Sequence, residues 1–351
     1  MGILVTGGVG FIGSHTCVEL LHRGYDVVVV DDYSNSSPAA LAAVRDVTGK
    51  DLITHELDLR DEDALDRVFS SRSIDAVIHF AAKKYVRESV QIPLGYYGVN
   101  VGGTISLVSA MLKHHVDRLV FSSSCSIYGS GHNAPISEDA ETRPTNPYAR
   151  SKLMCEQILA DACHRYPDLS VIALRYFNPI GGHTSGALGE DPRGAPSNIL
   201  PYMMQVAAGR REYLEVYADD YDTPDGSGVR DYIHVLDVAE AHCAALGHLG
   251  DESGKRAFNL GTGTGVSVFR LRTVVQEISG REIPYRVTGR QPGDVGTLIA
   301  DPSRVEKLWG WHPGRDLIAM CSDAWRFQRL HPNGYAPLAP GLAEEENCES
   351  R

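Results

Sequence analysis

Tyr148 and Lys152, four residues apart, form a pair suited to proton transfer. Asn146 and Pro147 precede them, and asparagine at the N-cap followed by proline at the first helical position predicts that a helix begins here. Residues at positions i and i+4 share one face of a helix. A cation near a phenol lowers the pKa of tyrosine from its ordinary value of about 10. The pair therefore predicts a tyrosine base, although an isolated pair of this kind is more often a surface contact.

Three consecutive serines, Ser122 to Ser124, end a predicted strand upstream of that pair. A hydroxyl at this place could contact the substrate oxygen that Tyr148 deprotonates. A serine triplet at a strand end is also compatible with an ordinary turn or helix cap, so this alternative stays open.

A glycine-rich segment over residues 7–13, Gly-Gly-Val-Gly-Phe-Ile-Gly, lies between the first predicted strand and the first predicted helix. Gly7 allows a tight turn, Gly10 lets the backbone approach a pyrophosphate, and Gly13 lets helix and strand pack closely. The helix N-terminus adds free N–H groups and a positive dipole end. The spacing alone is weak evidence in a chain with 35 glycines, but its position after a strand favours a dinucleotide site over a purely structural turn.

An acidic residue, Asp31, closes the second predicted strand. Its carboxylate can accept hydrogen bonds from the adenosine ribose hydroxyls and would repel a 2′-phosphate. We therefore predict NAD rather than NADP as the cofactor.

The elements that must position these residues alternate between strands and helices. Short β-branched runs predict strands at residues 3–6, 27–30, 74–80, 119–122 and 171–175, and a helical pattern at residues 11–23 ends before Gly24. This alternation predicts an α/β fold with right-handed crossovers and a Rossmann-type, doubly wound parallel sheet.

The pattern changes after residue 175. Residues 179–198 are rich in Gly, Pro and Ser without a clear period, which is typical of a functional segment. Helical patterns at 235–249 and 269–279 predict a smaller, mixed α/β substrate-binding lobe at the carboxyl ends of the strands. We predict three regions: an NAD-binding domain over 1–175 with returns near 230–260, a mainly substrate-binding lobe over 176–335, and a disordered tail over 336–351.

Composition and charge exclude several function classes. The 351 residues carry 33 basic and 45 acidic side chains, a net charge of −12, which argues against nucleic acid and an anionic membrane surface as partners. No apolar run approaches the roughly 20 residues that span a bilayer, and no signal peptide is visible. Seven cysteines, without a Cys-x-x-Cys motif, predict no disulfide framework and no metal site, and favour a cytoplasmic location.

The glycine loop, the serine triplet and the Tyr148/Lys152 pair together resemble the extended short-chain dehydrogenase/reductase superfamily. Longer segments are similar to its UDP-glucose 4-epimerases, and the most specific of them is Gly-Ser-Gly-Val-Arg-Asp-Tyr-Ile-His-Val at 226–235. The other matching segments are residues 10–16, 121–124, 174–179 and 189–192. The resemblance covers roughly residues 2–330. It implies an isomerase of galactose and carbohydrate metabolism that epimerises a UDP-hexose, UDP-galactose or UDP-glucose, and acts as a homodimer.

The resemblance also implies a mechanism. Tyr148 would take the proton of the sugar 4-hydroxyl while hydride leaves C4 for the nicotinamide, and hydride would return to the other face of the transient 4-keto sugar. Ser124 would hydrogen-bond the 4-oxygen. Lys152 would hold the nicotinamide ribose and lower the pKa of Tyr148. These three residues are the predicted catalytic set and also contact the ligands.

The resemblance assigns further residues to the two ligands. Besides the catalytic set, those expected to bind NAD are Gly7, Gly10, Phe11, Ile12, Gly13, Asp31, Asp32, Tyr33, Ser34, Asn35, Ser36, Asp58, Leu59, Phe80, Ala81, Ala82, Lys84, Asn100 and Phe177. Besides Ser124 and Tyr148, those expected to bind the UDP-sugar are Lys84, Val86, Tyr176, Asn178, Asn198, Ile199, Leu214, Glu215, Tyr217, Arg230, Tyr232, Arg290, Asp294 and Leu298.

Some of these residues have an expected role. Arg230 and Arg290 would clamp the diphosphate, because guanidinium matches phosphate oxygens bidentately. Tyr217 could stack on uracil, and Asp58 could accept from the adenine amino group. Other interpretations stay open: Asn198 could be a helix N-cap, and Asp294 a turn residue.

The sequence departs from the family pattern at several cofactor positions. Phe11 replaces a frequent tyrosine and Val99 a frequent asparagine, so we expect two polar contacts with NAD to be missing. Asp32-Tyr33 replaces a more usual Asn-Leu. Residues 83, 85 and 87, which are Lys, Tyr and Arg, are bulkier and more basic than the usual small residues.

Leu298 resembles the family's gate beside the sugar 2-substituent, where tyrosine restricts the pocket to plain hexoses. Leucine is smaller and cannot hydrogen-bond, so we expect UDP-GlcNAc and UDP-GalNAc as further substrates.

Three alternative functions remain. A 4,6-dehydratase usually has an acidic pair directly after the active-site hydroxyl, whereas Cys125 and Ser126 follow Ser124 here. A 4-epimerase of a UDP-uronate or UDP-pentose would share all the catalytic parts. A non-catalytic dinucleotide-binding protein would not need a tyrosine base. For the expected homodimer, helices near 101–115 and 148–164 would supply the interface.

Overall fold

The computed structural model describes residues 1–132, 134–194, 196–290 and 295–335. The strands, in chain order, are β1 (Gly2–Thr6), β2 (Asp26–Asp31), β3 (Ile53–Glu56), β4 (Ala76–His79), β5 (Arg118–Ser124), β6 (Ser170–Tyr176), β7 (Asn178–Ile180), β8 (Leu214–Tyr217), β9 (Val229–His234), β10 (Gly254–Leu260), β11 (Gly265–Ser267), β12 (Tyr285–Thr288) and β13 (Thr297–Leu298). The helices are α1 (Phe11–His22), α2 (Ala39–Thr48), α3 (Glu62–Ser71), α4 (Val86–Gln91), α5 (Pro93–Tyr96), α6 (Gly103–Lys113), α7 (Pro147–Arg165), α8 (Ile199–Ala207), α9 (Val235–His248), α10 (Val268–Ser279), α11 (Ser303–Trp309) and α12 (Leu317–Leu330). A π-helical turn, Tyr97–Gly102, joins α5 to α6, and a 3-10 turn, Cys125–Tyr128, follows β5.

Seven parallel strands form the central sheet, in the order β10-β6-β5-β4-β1-β2-β3. The predicted α/β fold with a doubly wound parallel sheet is confirmed. The five strands predicted in the first half occur as β1, β2, β4, β5 and β6, with bounds that shift by one or two residues. The edge strand β10 comes from the segment in which a return to the first domain was predicted, while the domain boundaries themselves stay predictions.

Alternation along the strands explains why both faces of this sheet are covered. In β1, Ile3 and Val5 join a core that includes Val18 of α1 and Ala241 of α9. Leu4 points to the other face, into a second core that includes helices α3, α6 and α7. Successive side chains of a strand point to opposite faces, so an unbroken apolar strand must be buried on both.

The smaller lobe is built on β9, which pairs with β7 and β13 in parallel and with β11 antiparallel. Beside it, β8 and β12 form a two-stranded parallel sheet. Helices α8, α10 and α12 contribute Met203, Leu271 and Met320 to its buried core. The helices predicted at 235–249 and 269–279 occur as α9 and α10.

Two further observations concern the chain as a whole. Within the described ranges, no helix combines the length and the apolar character needed to cross a membrane. The tail predicted at 336–351 lies outside the described residues.

Candidate active site

A cavity of about 630 Å³ lies along the carboxyl ends of β1 to β6 and extends to the smaller lobe. The residues predicted for NAD that line it are Gly7, Gly10, Phe11, Ile12, Gly13, Asp31, Asp32, Ser34, Asn35, Ser36, Asp58, Leu59, Phe80, Ala81, Ala82, Lys84, Ser124, Tyr148, Lys152 and Phe177. Tyr33 and Asn100 are not among the residues that line it. Tyr33 packs on the sheet core, and the Asn100 carboxamide binds the backbone of Lys83 and the hydroxyl of Ser151.

The glycines of the loop serve two purposes: two of them are required by the fold, and one leaves room for a ligand. Gly7 has a φ of 69°, and a Cβ there would lie 2.6 Å from the Ala81 nitrogen, whereas a Cβ on Gly13 would lie 2.2 Å from the Gly7 oxygen. A Cβ on Gly10 would meet only the Gly7 oxygen, at 3.4 Å. The fold therefore requires glycine at 7 and 13, while at position 10 it leaves room beside the first turn of α1, whose N–H groups are free of helical partners. This cradle fits a pyrophosphate.

Asp31 stands at the end of β2 with part of its acceptor capacity already used. Its Oδ2 accepts from the Val9 nitrogen at 3.0 Å, and its Oδ1 accepts from the Tyr33 nitrogen at 3.0 Å and the Ser36 hydroxyl at 2.8 Å. Burial raises the pKa of Asp31 above its ordinary value, and these hydrogen bonds oppose that shift. A carboxylate has about four acceptor positions, so one remains on Oδ2 for a ribose hydroxyl.

Asp58, predicted to accept from adenine, is held by a neighbour that the sequence analysis did not single out. Arg60 donates from Nε to Oδ1 at 2.9 Å and from Nη2 to Oδ2 at 2.5 Å, and these bonds lower the pKa of Asp58. Both side chains line the cavity, so an adenine would meet an ion pair rather than a lone carboxylate.

The predicted catalytic residues Ser124, Tyr148 and Lys152 all line the cavity. Helix α7 begins as predicted: Asn146 is the N-cap, its side chain accepts from the Ala149 nitrogen at 2.9 Å, and proline occupies the first turn. Tyr148 is 9% exposed, and the Ser124 hydroxyl at the end of β5 acts to lower the pKa of its phenol. The other two serines of the triplet are used elsewhere, since Ser122 pairs with His242 and Ser123 with Glu156. Only Ser124 of the three lines the cavity.

The prediction that Lys152 lowers the pKa of Tyr148 is wrong. Burial raises the pKa of Tyr148, although Ser124 and the charge of Lys84 act to lower it. The Lys152 Nζ instead donates to the Ser122 carbonyl at 2.7 Å, and burial lowers the pKa of Lys152 to about 8. Helical spacing placed the two side chains on one face, but this carbonyl holds the ammonium, and the cation that acts on the phenol comes from the loop after β4.

A buried ion cluster fixes α7 against the sheet, and the sequence analysis did not find it. The Glu156 carboxylate is 1% exposed and accepts four hydrogen bonds. Two come from the guanidinium of Arg175 in β6, at 2.9 and 2.7 Å, one from Lys255 Nζ in β10, at 2.8 Å, and one from the Ser123 hydroxyl in β5, at 2.6 Å. Burial alone would raise the pKa of Glu156, but Arg175 and Lys255 lower it to about 2. The cluster therefore joins the helix that carries Tyr148 to the strand that carries Ser124.

The residues predicted for the UDP-sugar divide into two groups. Those that line the cavity are Lys84, Val86, Ser124, Tyr148, Tyr176, Asn178, Asn198 and Leu298. Those that do not line it are Ile199, Leu214, Glu215, Tyr217, Arg230, Tyr232 and Arg290. Asp294 lies outside the described residues. The second group belongs almost entirely to β8, β9 and the segments that follow them.

Several members of the second group have partners within the protein. Leu214 and Tyr232 are buried in the core of the smaller lobe, and Ile199 packs against it. Arg290 donates to Asp220 Oδ1 at 2.9 Å, and Arg230 donates to the carbonyl oxygens of its neighbour Val229 and of residue 296. Their predicted contacts with the UDP-sugar stay predictions.

Two more of that group pair with each other. The Tyr217 hydroxyl donates to Glu215 at 3.0 Å, and the guanidinium of Arg87 lies 4.9 Å from the centre of the Tyr217 ring. Arg87 belongs to α4 and Tyr217 to β8, so this contact crosses from one lobe to the other.

Glu190 is a cavity residue that the sequence analysis missed. Its Oε1 accepts from Lys84 Nζ at 3.0 Å and from Asn198 Nδ2 at 2.6 Å. Burial alone would lower the pKa of Lys84, but the charge of Glu190 raises it. Asn198 occupies the N-cap position of α8 without a side-chain cap, so its carboxamide serves Glu190 instead. Its position as a charged residue in the irregular segment 179–198, which was predicted to be functional, could have indicated this role.

Leu298, the predicted gate, lines the cavity on β13 and packs against the cluster that contains Cys125 and Phe177. Cys125 follows Ser124 directly, so Leu298 lies near the predicted catalytic residues. Its function as a gate stays a prediction.

Comparison with known proteins agrees with this geometry. Residues 3–261 match the model of the NAD dependent epimerase/dehydratase family. A UDP-glucose 4-epimerase from Bacillus subtilis strain 168 is 52% identical over 335 residues, which cover 95% of this chain and 99% of that protein. The chain belongs to the UDP-glucose 4-epimerase family. The predicted resemblance and the predicted cofactor, NAD, are thereby confirmed.

Solved structures of the same family have the same fold. The UDP-glucose 4-epimerase from Bifidobacterium longum, crystallised with NAD+ and UDP, superposes with a TM-score of 0.93 at 47% identity, over 95% of this chain and all of that chain. The UDP-Glc/GlcNAc 4-epimerase from Campylobacter jejuni has a TM-score of 0.81 at 35% identity, over 94% of this chain and 99% of that chain.

Proposed function

We propose that this protein is an isomerase that interconverts UDP-galactose and UDP-glucose through a transient 4-keto sugar, with NAD as its cofactor. The observation that carries this proposal is that Ser124, Tyr148 and Lys152 line the same cavity as the pyrophosphate cradle of the glycine loop. A binding protein would need the cradle but not the buried phenol and hydroxyl.

The residues of the cavity divide the work of holding the cofactor. The glycine loop would bind the pyrophosphate, and Asp31 would accept from the adenosine ribose. Lys152, held by the Ser122 carbonyl, has two further N–H donors for the nicotinamide ribose. NAD supplies the hydride acceptor and, in its oxidised form, a positive charge that favours the phenolate.

Tyr148, as the phenolate, would accept the proton of the sugar 4-hydroxyl as the C4–H bond breaks and hydride leaves C4 for the oxidised cofactor. It returns that proton to the 4-oxygen when the keto sugar, turned over, is reduced on its other face. Ser124 binds the 4-oxygen throughout and keeps it within reach of the phenol. Because burial raises the pKa of Tyr148, its function as a base depends on the charge of Lys84 and of the oxidised cofactor.

The UDP part requires an exchange of partners in the smaller lobe. Arg230 and Arg290 would leave the protein oxygens that they contact and bind the diphosphate bidentately. Tyr217 would offer one ring face to uracil while Arg87 contacts the ring from α4.

We also propose that N-acetylated substrates, UDP-GlcNAc and UDP-GalNAc, are accepted. Leu298 lines the cavity near Cys125, and leucine leaves more room than tyrosine beside the sugar 2-substituent. The relative from Campylobacter jejuni, named for both glucose and N-acetylglucosamine substrates, supports this breadth. A uronate or pentose 4-epimerase is the second candidate, because it would use the same three catalytic residues.

A panel of UDP-sugars incubated with the purified protein, with the products separated by chromatography, tests both proposals. We expect interconversion of UDP-galactose and UDP-glucose, and a slower conversion of UDP-GlcNAc. A protein that carries NAD but leaves UDP-galactose unchanged would contradict the proposed function. Leu298→Tyr should reduce UDP-GlcNAc turnover by about 10-fold, because the larger ring removes the space for the N-acetyl group. UDP-galactose turnover by the same variant serves as the control.

For the assembly we propose a homodimer in which α6 and α7 form the interface. Ile105 of α6 and Met154 of α7 are 47% and 41% exposed, and Leu94 of the neighbouring α5 is 83% exposed. Large apolar side chains that cluster on one surface favour a protein interface. Light scattering after size-exclusion chromatography should give twice the mass of the chain, and Ile105→Glu should shift it towards the monomer.

We further propose a cytoplasmic location. Six cysteines of the described residues are buried as free thiols, which favours a reducing compartment.

A further inference from the structure

One hydrogen bond joins two segments that contribute residues to the cofactor groove. The hydroxyl of Tyr85, in the segment between β4 and α4, donates to Oδ1 of Asn35, in the segment between β2 and α2, at 2.9 Å. In the sheet, β4 and β2 are the two neighbours of β1. The bond therefore joins the segments on either side of the glycine loop, which itself emerges from the end of β1.

The Tyr85 end of this bond is rigid. The Tyr96 hydroxyl, fully buried, lies 2.7 Å from the Tyr85 carbonyl oxygen, and Asn100 binds both backbone groups of Lys83 at 2.8 and 3.1 Å. Lys84 Nζ also lies 5.8 Å from the centre of the Tyr85 ring. The backbone on both sides of Lys84 is thus fixed before any ligand contributes.

The Asn35 end belongs to a looser segment. Residues 32–37 contain no helix or strand, and Tyr33 has a φ of 50°. Asp31 holds the segment through the Tyr33 nitrogen and the Ser36 hydroxyl, and Asp32 binds the nearby Ser34. Asn35 lines the cavity, so its carboxamide faces the cofactor groove on one side and Tyr85 on the other.

We propose that Tyr85 and Asn35 form a clasp that closes over NAD and slows its release. With the glycine loop as floor and the clasp as roof, the pyrophosphate is enclosed, and the dinucleotide leaves only when the hydrogen bond between Tyr85 and Asn35 opens. The clasp supplements a groove whose phenylalanine at position 11 and valine at position 99 offer no polar side chain. This proposal rests on the NAD site of the proposed function.

The release rate of NAD tests the clasp without reference to turnover. The protein is loaded with radiolabelled NAD+, mixed with excess unlabelled NAD+, and sampled over time for retained label. Tyr85→Phe keeps the ring and removes the hydroxyl, so label should be lost about 3- to 10-fold faster than from the unaltered protein. Tyr166→Phe, at the opposite edge of the sheet, is the matched control and should release label at the original rate.

Asn35→Ala provides the decisive comparison. Asn35 contacts NAD in the proposed site, so its loss accelerates release by itself. If the clasp exists, Tyr85→Phe adds no further acceleration in the Asn35→Ala background. Release from Tyr85→Phe at the original rate would overturn the proposal, as would equal acceleration by Tyr85→Phe in both backgrounds. A protein that binds no NAD at all would instead contradict the proposed function.

Discussion

The cofactor half and the substrate half of the cavity are built in different ways. On the cofactor side, steric contact fixes Gly7 and Gly13, and Asp31 is held by hydrogen bonds from three neighbours. On the substrate side, Arg290 is half exposed and contacts Asp220, and Leu298 lies on a strand of two residues. The cofactor half is preorganised by a buried parallel sheet, whereas in the proposed function the substrate half exchanges internal partners for the ligand.

This difference suits the chemistry. A cofactor that stays bound benefits from a rigid site, because the cost of ordering is met on folding rather than on binding. A substrate that must leave as product, and whose sugar must turn over, benefits from contacts that reform easily.

Removing the phenol oxygen should have the largest effect. Tyr148→Phe should lower the turnover of UDP-galactose by about 10²- to 10⁴-fold, the usual contribution of a general base. Its NAD content, measured after denaturation, should equal that of the unaltered protein, because the ring still fills its buried place. Turnover by Tyr148→Phe within a few-fold of the original would show that Tyr148 is not the base.

Breaking the ion cluster should show how far the cofactor half depends on rigid support. Glu156→Gln leaves Arg175 and Lys255 without a counter-charge, and the free energy of unfolding at pH 7 should fall by about 3–5 kcal/mol. Denaturant titration measures this loss. Lys255→Met, which removes the more exposed of the two basic partners (17% against 8% for Arg175), is the milder control.

The same cluster predicts a dependence of stability on pH. The folded protein lowers the pKa of Glu156 to about 2, below the ordinary 4.5. The contribution of this group is therefore complete above pH 4.5 and is lost as the pH falls towards 2. The Glu156→Gln variant should lose this part of the acid dependence. An unchanged slope between pH 5 and 3 would contradict the assignment.

Two glycine variants separate folding from cofactor binding. Gly13→Ala places a Cβ against the Gly7 oxygen and should destabilise the protein by about 1–3 kcal/mol. In Gly10→Ala the new Cβ makes only an ordinary contact. The melting temperature should therefore stay unchanged, while the affinity for NAD falls. Equal losses of stability in both variants would show that the whole loop is structural.

The smallest effect is expected on the substrate side. Asp220→Asn frees Arg290 from an exposed ion pair, and such pairs contribute about 0–1 kcal/mol. The KM for UDP-galactose should therefore fall by about 2- to 5-fold, with little change in kcat, since the arginine no longer has to leave a charged partner. A rise in KM would place Asp220 among the groups that bind the substrate.

Local spacing was enough to predict much of this molecule. The alternation of apolar runs determined the parallel sheet, and the positions of Gly10, Asp31, Ser124 and Tyr148 at strand or helix ends determined where the cavity lies. These inferences hold because strand and helix periodicities fix the direction of neighbouring side chains. They also hold because the carboxyl ends of parallel strands meet at one edge of the sheet.

The tertiary structure alone decided the electrostatics of the site. The pKa of Tyr148 is raised rather than lowered because the phenol is buried and Lys152 is held by a carbonyl of β5. Glu190 meets Lys84 across 106 positions of the chain, and Tyr85 meets Asn35 across 50. Desolvation and charge pairing depend on which distant segments pack together. Residue spacing within a single helix or strand cannot predict desolvation or charge pairing. The sequence therefore predicted where the candidate catalytic residues lie, while the packing of the chain determined their pKa values.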